Sequence, residues 1–366
     1  MAALGQYLVT LADVAKSKDR AIGSVAEILV QENPMLNDVP YMQMNEGTIH
    51  KESIRSSLPS VYYRKANQPI PPGKTTIEER TFQAAHFESK SQMDEAVAKR
   101  GGVDRIAFNR WNQAQGHIQA AAIEHANLMI YGSPTVGTSF TTVGAGNGTG
   151  SNLKTAGLCD IYCTTNSAEE TSLQIIDGGG TDAGDMTSIW RIHWGDRSVF
   201  GIYPAGTQAG LKRTDRSAGG KLVPIQGTDL NGNYGNFWGF EEQFEVDHGL
   251  VVKDFRQASR VANIDIAALN SGVSAADLIT LMIDAHYKIH NLQNGVGVWY
   301  VNRTIEAFLH QQSLTKVGAG AGLTYDNFDG KKILMFLGFP VRRADALLNT
   351  ENQVTSTIPI SNWGSF

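Results

Sequence analysis

The stretch NEGTIHKESIRSSLPSVYYRKANQPIPPGKTTIEERTFQAAHFESKSQ, residues 45–92, decides how the rest of the chain is read. Two β-prone runs, roughly 47–65 and 75–90, flank Gln68-Pro69-Ile70-Pro71-Pro72-Gly73, whose prolines and glycine forbid a continuing strand and force a reversal. The pattern predicts a long hairpin. In the first run the odd positions are Ile49, Lys51, Ser53, Arg55 and Ser57, and the even ones His50, Glu52, Ile54, Ser56 and Leu58. Neither face is apolar, as a strand covering its own core would require. A two-stranded ribbon alone is marginal in water. At ~3.3 Å per residue it could reach roughly 60 Å, which implies an arm lying on a neighbouring molecule. The plainer alternative is a surface loop.

Upstream, Leu8, Leu11 and Val14, then Ile22, Val25, Ala26, Leu29 and Val30, recur at helical spacing. Two short helices are expected in an N-terminal arm of 44 residues, with Asn33-Pro34 ending the second. Downstream, residues 103–131 carry Phe108, Trp111, Ile118, Ala122 and Met129 at helical intervals, with Asp104 near the start and Gly132 just past the end. At 1.5 Å per residue this is a helix of about 40 Å, long enough for a strut. Gly116 weakens its middle and leaves room for a close neighbour. From 133 to 270 the chain turns to short strands and glycine-rich turns. They include Ser188–Trp194, Ser198–Tyr203 and a pair of strands within 239–264 that Asp247-His248-Gly249 would connect. A helix Ala275–His290 with Ser274 as N-cap, a second helix Arg303–Ser313, a Gly318–Gly322 loop and a closing strand Lys332–Arg342 follow. Past Asn349 the tail is polar.

Composition narrows the function. Charged residues are 18% of the chain, below the ~25% usual for soluble domains, which suggests a surface covered by something else. A net charge of -5 gives no basic field for tight nucleic-acid binding. Cys159 and Cys163, four apart, fit neither a redox pair nor a zinc set and read as two ordinary thiols in a reducing cytoplasm. The N-terminus lacks the basic start of a signal peptide, and no apolar run approaches the ~18 residues of a membrane span.

Arm, hairpin, strut helix, β-rich middle, two helices and a last strand, in that order, resemble the major capsid proteins of tailed bacteriophages, whose fold also forms encapsulin shells. Ile28–Pro40, Leu58-Pro59 and Tyr63-Arg64-Lys65 are similar to the coat proteins of one group of short-tailed phages and prophages. So are Arg191–Asp196, Gly201–Pro204, Val246–Leu250, Arg260–Ile264 and Gly338–Asp345. The match spans about 30–348. Each motif is structural and weak alone; their common order carries the resemblance. It implies an α+β fold divided into an N-terminal arm (1–44), an extended hairpin loop (45–92), a peripheral domain with a spine helix (93–135 with parts of 239–270 and 333–348), a β- and glycine-rich region (136–238), an axial domain (271–332) and a C-terminal tail (349–366).

The resemblance further implies a structural subunit, not an enzyme, that assembles with itself as pentamers and hexamers around double-stranded DNA. Assembly would take place in the bacterial host cytoplasm and the product would be a virion shell. A separate scaffolding protein, a portal and in some cases a decoration protein would be its other partners. No covalent crosslink between subunits is expected, and no cofactor. Residues proposed to meet the next subunit are Lys51, Glu52, Arg55, Arg64, Lys65, Lys74, Glu78, Glu79 and Arg80, on the mixed polarity of the hairpin.

Chemistry is sparse. His286 and His290 have the i, i+4 spacing of metal-binding pairs, but Tyr287 stands where a catalytic Glu would be needed, so packing is the favoured reading. His117 and His125 on the strut helix are read the same way. Residues 143–150 are glycine-rich yet match no phosphate-loop pattern, and 177–185 carry three Asp without the alternating ligands of a calcium loop. Two rivals remain: an encapsulin-like cargo shell, and a β-rich carbohydrate-processing or sugar-binding protein suggested by Trp190, Trp194 and Trp238.

Overall fold

The computed structural model describes residues 33–47, 49–100, 102, 105–135, 153–181, 184–217, 221–228, 233–272, 276–292, 295–315, 323–328 and 331–356. In chain order the elements are β1 (Tyr41–Gln43), β2 (Ile49–Ser57), β3 (Thr76–Gln83), β4 (Ala85–Asp94), α1 (Ile106–Tyr131), β5 (Ile175–Asp177), β6 (Met186–Trp194), β7 (Val199–Tyr203), β8 (Gly210–Asp215), β9 (Val223–Thr228) and β10 (Tyr234–Val252). There follow β11 (Ala258–Asp265), α2 (Ile266–Ser271), α3 (Leu278–Lys288), β12 (Val296–Val301), α4 (Arg303–Thr315), β13 (Leu323–Phe328), β14 (Lys331–Phe336) and β15 (Phe339–Arg343). The expected helices before residue 31, the 143–150 loop, the 318–322 loop and Ser274 lie outside the described residues.

Two compact units emerge. The larger takes Glu32–Ala85, Ala126–Thr207 and His248 onward. Its centre is β6, whose nine residues are all buried. β6 pairs antiparallel with β11 and with β12, and β12 continues in parallel to β15. Side chains alternate across such a strand. Trp190, Ile192 and Trp194 therefore enter one apolar layer with Met129, Tyr131, Leu158, Tyr162 and Tyr300. Ile189 enters the other, with Trp299, Leu278 and Met282 of α3, and Ile305 and Leu309 of α4. A central strand covered on both faces explains why Ser188–Trp194 reads as a nearly continuous bulky run. Trp190 and Trp194 are core residues, so of the three tryptophans behind the carbohydrate reading only Trp238 is exposed.

The described end of the N-terminal segment belongs to this unit. β1 runs parallel to β7, Met35, Val39 and Met44 are buried, and Asp38 accepts from the Tyr300 hydroxyl and pairs with Arg342. Gly201 permits the approach, since a Cβ there would stand 2.5 Å from the Tyr41 ring.

The smaller unit contains His86–His125 and Gln208–Asp247. In it β10 pairs with β9 and then β8, and Met93, Ala98 and Phe240 form a core. Arg110 of α1 reaches Asp215 at 2.7 Å and buried Glu242 at 2.6 Å, while Arg213 bonds the other Glu242 oxygen at 2.9 Å. His117 stacks on Phe244 and hydrogen-bonds Ser89 at 2.6 Å, a packing role. Nothing among the described residues stands within 4 Å of a Cβ built at Gly116, so the room left there is open.

Four sequence expectations need correction. β10 runs straight through Asp247-His248-Gly249, and the turn comes later, at Lys253–Gln257. Gly249 serves a close approach instead: a Cβ there would meet the Gln83 carbonyl oxygen at 2.6 Å. The closing run is two strands, β14 and β15, because Leu337 and Gly338 both take positive φ (49° and 82°) and reverse the chain, the backbone of a two-residue hairpin turn. The run 75–90 is likewise two strands, broken after Gln83. Finally, α3 begins at Leu278 with Asp277 as cap, its carboxylate bonding the Thr280 hydroxyl at 2.7 Å.

Candidate functional site

The hairpin forms, in antiparallel register from Ile49↔Gln83 to Ser57↔Thr76, but its paired part is shorter than the sequence suggested. Nine residues at ~3.3 Å give a ribbon of about 30 Å. Pro59 stops the first strand early. Beyond it, residues 58–75 form a connecting excursion.

Among the described residues the ribbon is anchored at its base. His50 and Phe82 are cross-strand partners, and both are buried; Phe82 packs with Met44, Phe200, Ile202 and Val251, and the His50 ring sits edge-on to Phe200. From this foothold a chain of polar contacts follows. His50 Nε2 lies 3.1 Å from one Glu52 oxygen, and the other is 2.7 Å from Lys253. Arg80 is 5% exposed, with Glu78 and Glu170 at 3.9 and 4.0 Å. Burial pushes its guanidinium down from the ordinary value, and Glu170, Glu78 and Glu169 only partly offset this. Lys51 pairs with Glu46 at 3.1 Å and Glu79 at 3.4 Å. Between the ribbon base and the 253–256 turn lies a cleft of about 420 Å³, lined in part by Arg55, Arg80, Glu170, Lys253 and Arg256.

Past Ile54 the ribbon and excursion are almost wholly exposed. Leu58, Val61, Tyr62, Tyr63 and Ile70 all show their side chains to solvent, Tyr63 completely at 103%. The same 18 residues hold three cations, Arg64, Lys65 and Lys74, and no acid. The tip is nevertheless shaped. Lys65 and Gln68 close a turn through Asn67 at φ 68°, with Gln68 N donating to the Lys65 carbonyl at 3.2 Å and Lys65 N to the Gln68 side chain at 3.2 Å. Gly73 packs back on Pro59. Such an array of exposed apolar side chains on a projecting element marks an interaction surface.

The nine predicted contact residues therefore separate. Lys51, Glu52, Glu78, Glu79 and Arg80 already hold partners within the chain at the base. Arg55, Arg64, Lys65 and Lys74 stand exposed on the outer part. The apolar tip residues Leu58, Val61, Tyr62, Tyr63 and Ile70 are not among the nine. Their clustering without a single acid was the available signal.

Elsewhere no catalytic or metal arrangement appears among the described residues, and no group of three His, Cys, Asp or Glu is placed to hold a metal there. His286 is buried against Arg191, while His290 is exposed; the pair does not converge. Asp177 bonds Gly179 N at 2.9 Å and the Asn263 amide at 3.0 Å, which makes it a turn residue. Cys159 and Cys163 are buried thiols, and burial pushes both up, Cys163 to about 12. Among the described residues no helix is long and apolar enough to cross a membrane.

Comparison with known proteins places this geometry. The family model of major capsid protein GP7 matches residues 17–355. Among solved structures, the chain is similar to one from bacteriophage Epsilon15, with 30% identity, a TM-score of 0.68, and 97% of this chain and 99% of that one covered. A bacteriophage JBD30 capsid chain aligns at 9% identity and a TM-score of 0.45, covering 92% and 99%. An encapsulin complex from Synechococcus elongatus aligns at 10% identity and 0.35, covering 70% and 97%. Scores this low carry no argument. No curated protein matches. With one family model spanning most of the chain and a phage relative matched over nearly its whole length, the chain belongs to the major capsid protein GP7 family, a structural subunit of a phage head with a mixed α+β fold.

Proposed function

We propose that the hairpin is the arm by which one copy of this coat subunit holds the next, and that rings of five and six copies close into an icosahedral shell around double-stranded DNA. The observation that carries this reading is the tip: five exposed apolar side chains and three cations on a ribbon that, among the described residues, is anchored at its base. Burying a Val, Leu or Ile side chain contributes ~1.5–3 kcal/mol, and a surface ion pair only ~0–1. Apolar contact at the tip thus dominates, and Arg55, Arg64, Lys65 and Lys74 choose the partner surface and its register. Closed shells use repeated, identical contacts related by symmetry, each weak enough to be corrected.

The function resides in interfaces and not in catalysis. A separate scaffolding protein, a portal and a decoration protein are the expected partners, and assembly precedes packaging in the host cytoplasm. The division into arm, hairpin, peripheral domain, β-rich region, axial domain and tail is part of the same proposal.

The test removes residues 66–74, which lie outside the paired strands, and looks for closed particles by electron microscopy. The expected result is soluble subunits or open fragments; shells of normal size and yield would remove the hairpin from assembly.

A further inference from the structure

Arg191 is fully buried, yet no carboxylate stands within ion-pair distance of it among the described residues. Its guanidinium lies over the Trp299 ring at 5.0 Å and the Phe339 ring at 4.3 Å. One terminal nitrogen meets His193 Nε2 at 3.2 Å, and the other meets His286 Nδ1. Arginine has only donors. Both ring nitrogens that face it must therefore be lone pairs, and both rings neutral. A second proton on either ring would turn an acceptor into a donor aimed at a cation.

We propose that Arg191, His193 and His286 form a proton-sensitive latch between α3 and the central sheet, which holds at neutral pH and gives way on acidification. Arg191 and His193 come from β6 and His286 from α3, so the latch joins the helix to the strand it covers. No slack exists to absorb a change: a Cβ at Gly297 of β12 would stand 2.6 Å from His193 Nε2 and 2.7 Å from the Phe339 ring.

Among the described residues, neighbouring charges offer no relief. On α3 the other titratable groups, Asp284, Tyr287 and Lys288, are exposed. On β15, Arg342 pairs with Asp38 and Arg343 with Asp345. On β12, Tyr300 turns to the opposite layer and bonds Asp38. The charges that do act on the rings are Arg191 on both and His286 on His193, all repulsive to a new proton.

Burial and Arg191 push both imidazoles down from the ordinary 6.5 to about 4. The unfolded chain consequently binds more protons than the folded one between these values. Stability from the latch is complete above about 6.5 and is lost as pH falls toward 4. This device belongs to the single chain and does not depend on how copies assemble.

The first measurement is hydrogen–deuterium exchange at each imidazole Cε1 of the unmodified protein, read by mass spectrometry across pH. The expected midpoints of His193 and His286 lie well below the ordinary imidazole value of 6.5. Midpoints of both at that ordinary value would overturn the proposal. The second compares the wild type with His193→Gln/His286→Asn, which keeps an acceptor near each position without a titrating ring. Proton uptake on unfolding near pH 5 should drop by roughly two; an unchanged uptake would overturn the proposal. Should the double variant fail to fold, the exchange titration decides alone.

Discussion

Arg260 and Glu351 stand 91 positions apart and meet at 2.9 Å with both side chains about 2% exposed. Further hydrogen bonds hold both partners. Arg260 also donates to the Ser188 hydroxyl at 3.0 Å and the Tyr162 carbonyl at 2.8 Å, and Glu351 accepts from Tyr131 at 2.8 Å. A buried pair of this kind adds little by existing, but breaking it leaves one charge bare at a cost of ~3–5 kcal/mol. Glu351→Ala should accordingly lower the stability of the larger unit by about that amount, measured as the urea midpoint of the unassembled subunit. Arg260→Met/Glu351→Met should cost clearly less than the single change; equal costs would show that the charges are not what matters. Neither residue stood out in the sequence. Arg260 sat inside one of the family-like motifs without a role, and Glu351 looked like part of a polar tail. Pairing across 91 positions leaves no local signature.

At the scale of an element, the hairpin is the clearest case of a partly legible feature. Its reversal was readable because Pro69, Pro71, Pro72 and Gly73 restrict the backbone locally. Its mixed faces were readable from alternation. The length of the paired part was not, since strand pairing past Ser57 depends on what lies beside it. Ribbon and tip make separable contributions, and substitution can weigh them. Val61→Ser/Tyr63→Ser should raise the concentration needed for assembly at least tenfold, given ~1.5–3 kcal/mol per buried apolar side chain. Followed by light scattering, Arg64→Gln/Lys65→Gln should change it only a few-fold, and less in high salt. Both variants should leave the melting of the unassembled subunit within about 0.5 kcal/mol of the wild type, because the altered side chains are exposed. A large melting shift would mean that the tip serves its own molecule.

For the whole molecule, charge sets the relation to the proposed cargo. A net charge of -5 per copy gives packaged DNA no average attraction, so any contact is weak and local, and binding to the phosphate backbone falls steeply with salt. Shells emptied of DNA should release residual fragments in a wash of moderate salt; fragments retained through high salt would reveal a basic inner surface that the average hides. The sequence by itself determined the order of elements, the reversal in the hairpin, α1 and the absence of a recognisable catalytic motif, because helix periodicity, turn residues and motif spacings are local. Only the tertiary structure decided that Asp247-His248-Gly249 continues a strand, that Leu337-Gly338 ends one, that Arg80 lies buried at the base of the hairpin, and that Arg191 faces two histidines and, among the described residues, no carboxylate. Each of these rests on contacts between residues far apart in the chain. Burial and close approach are properties of the packed whole, and no window of sequence contains them.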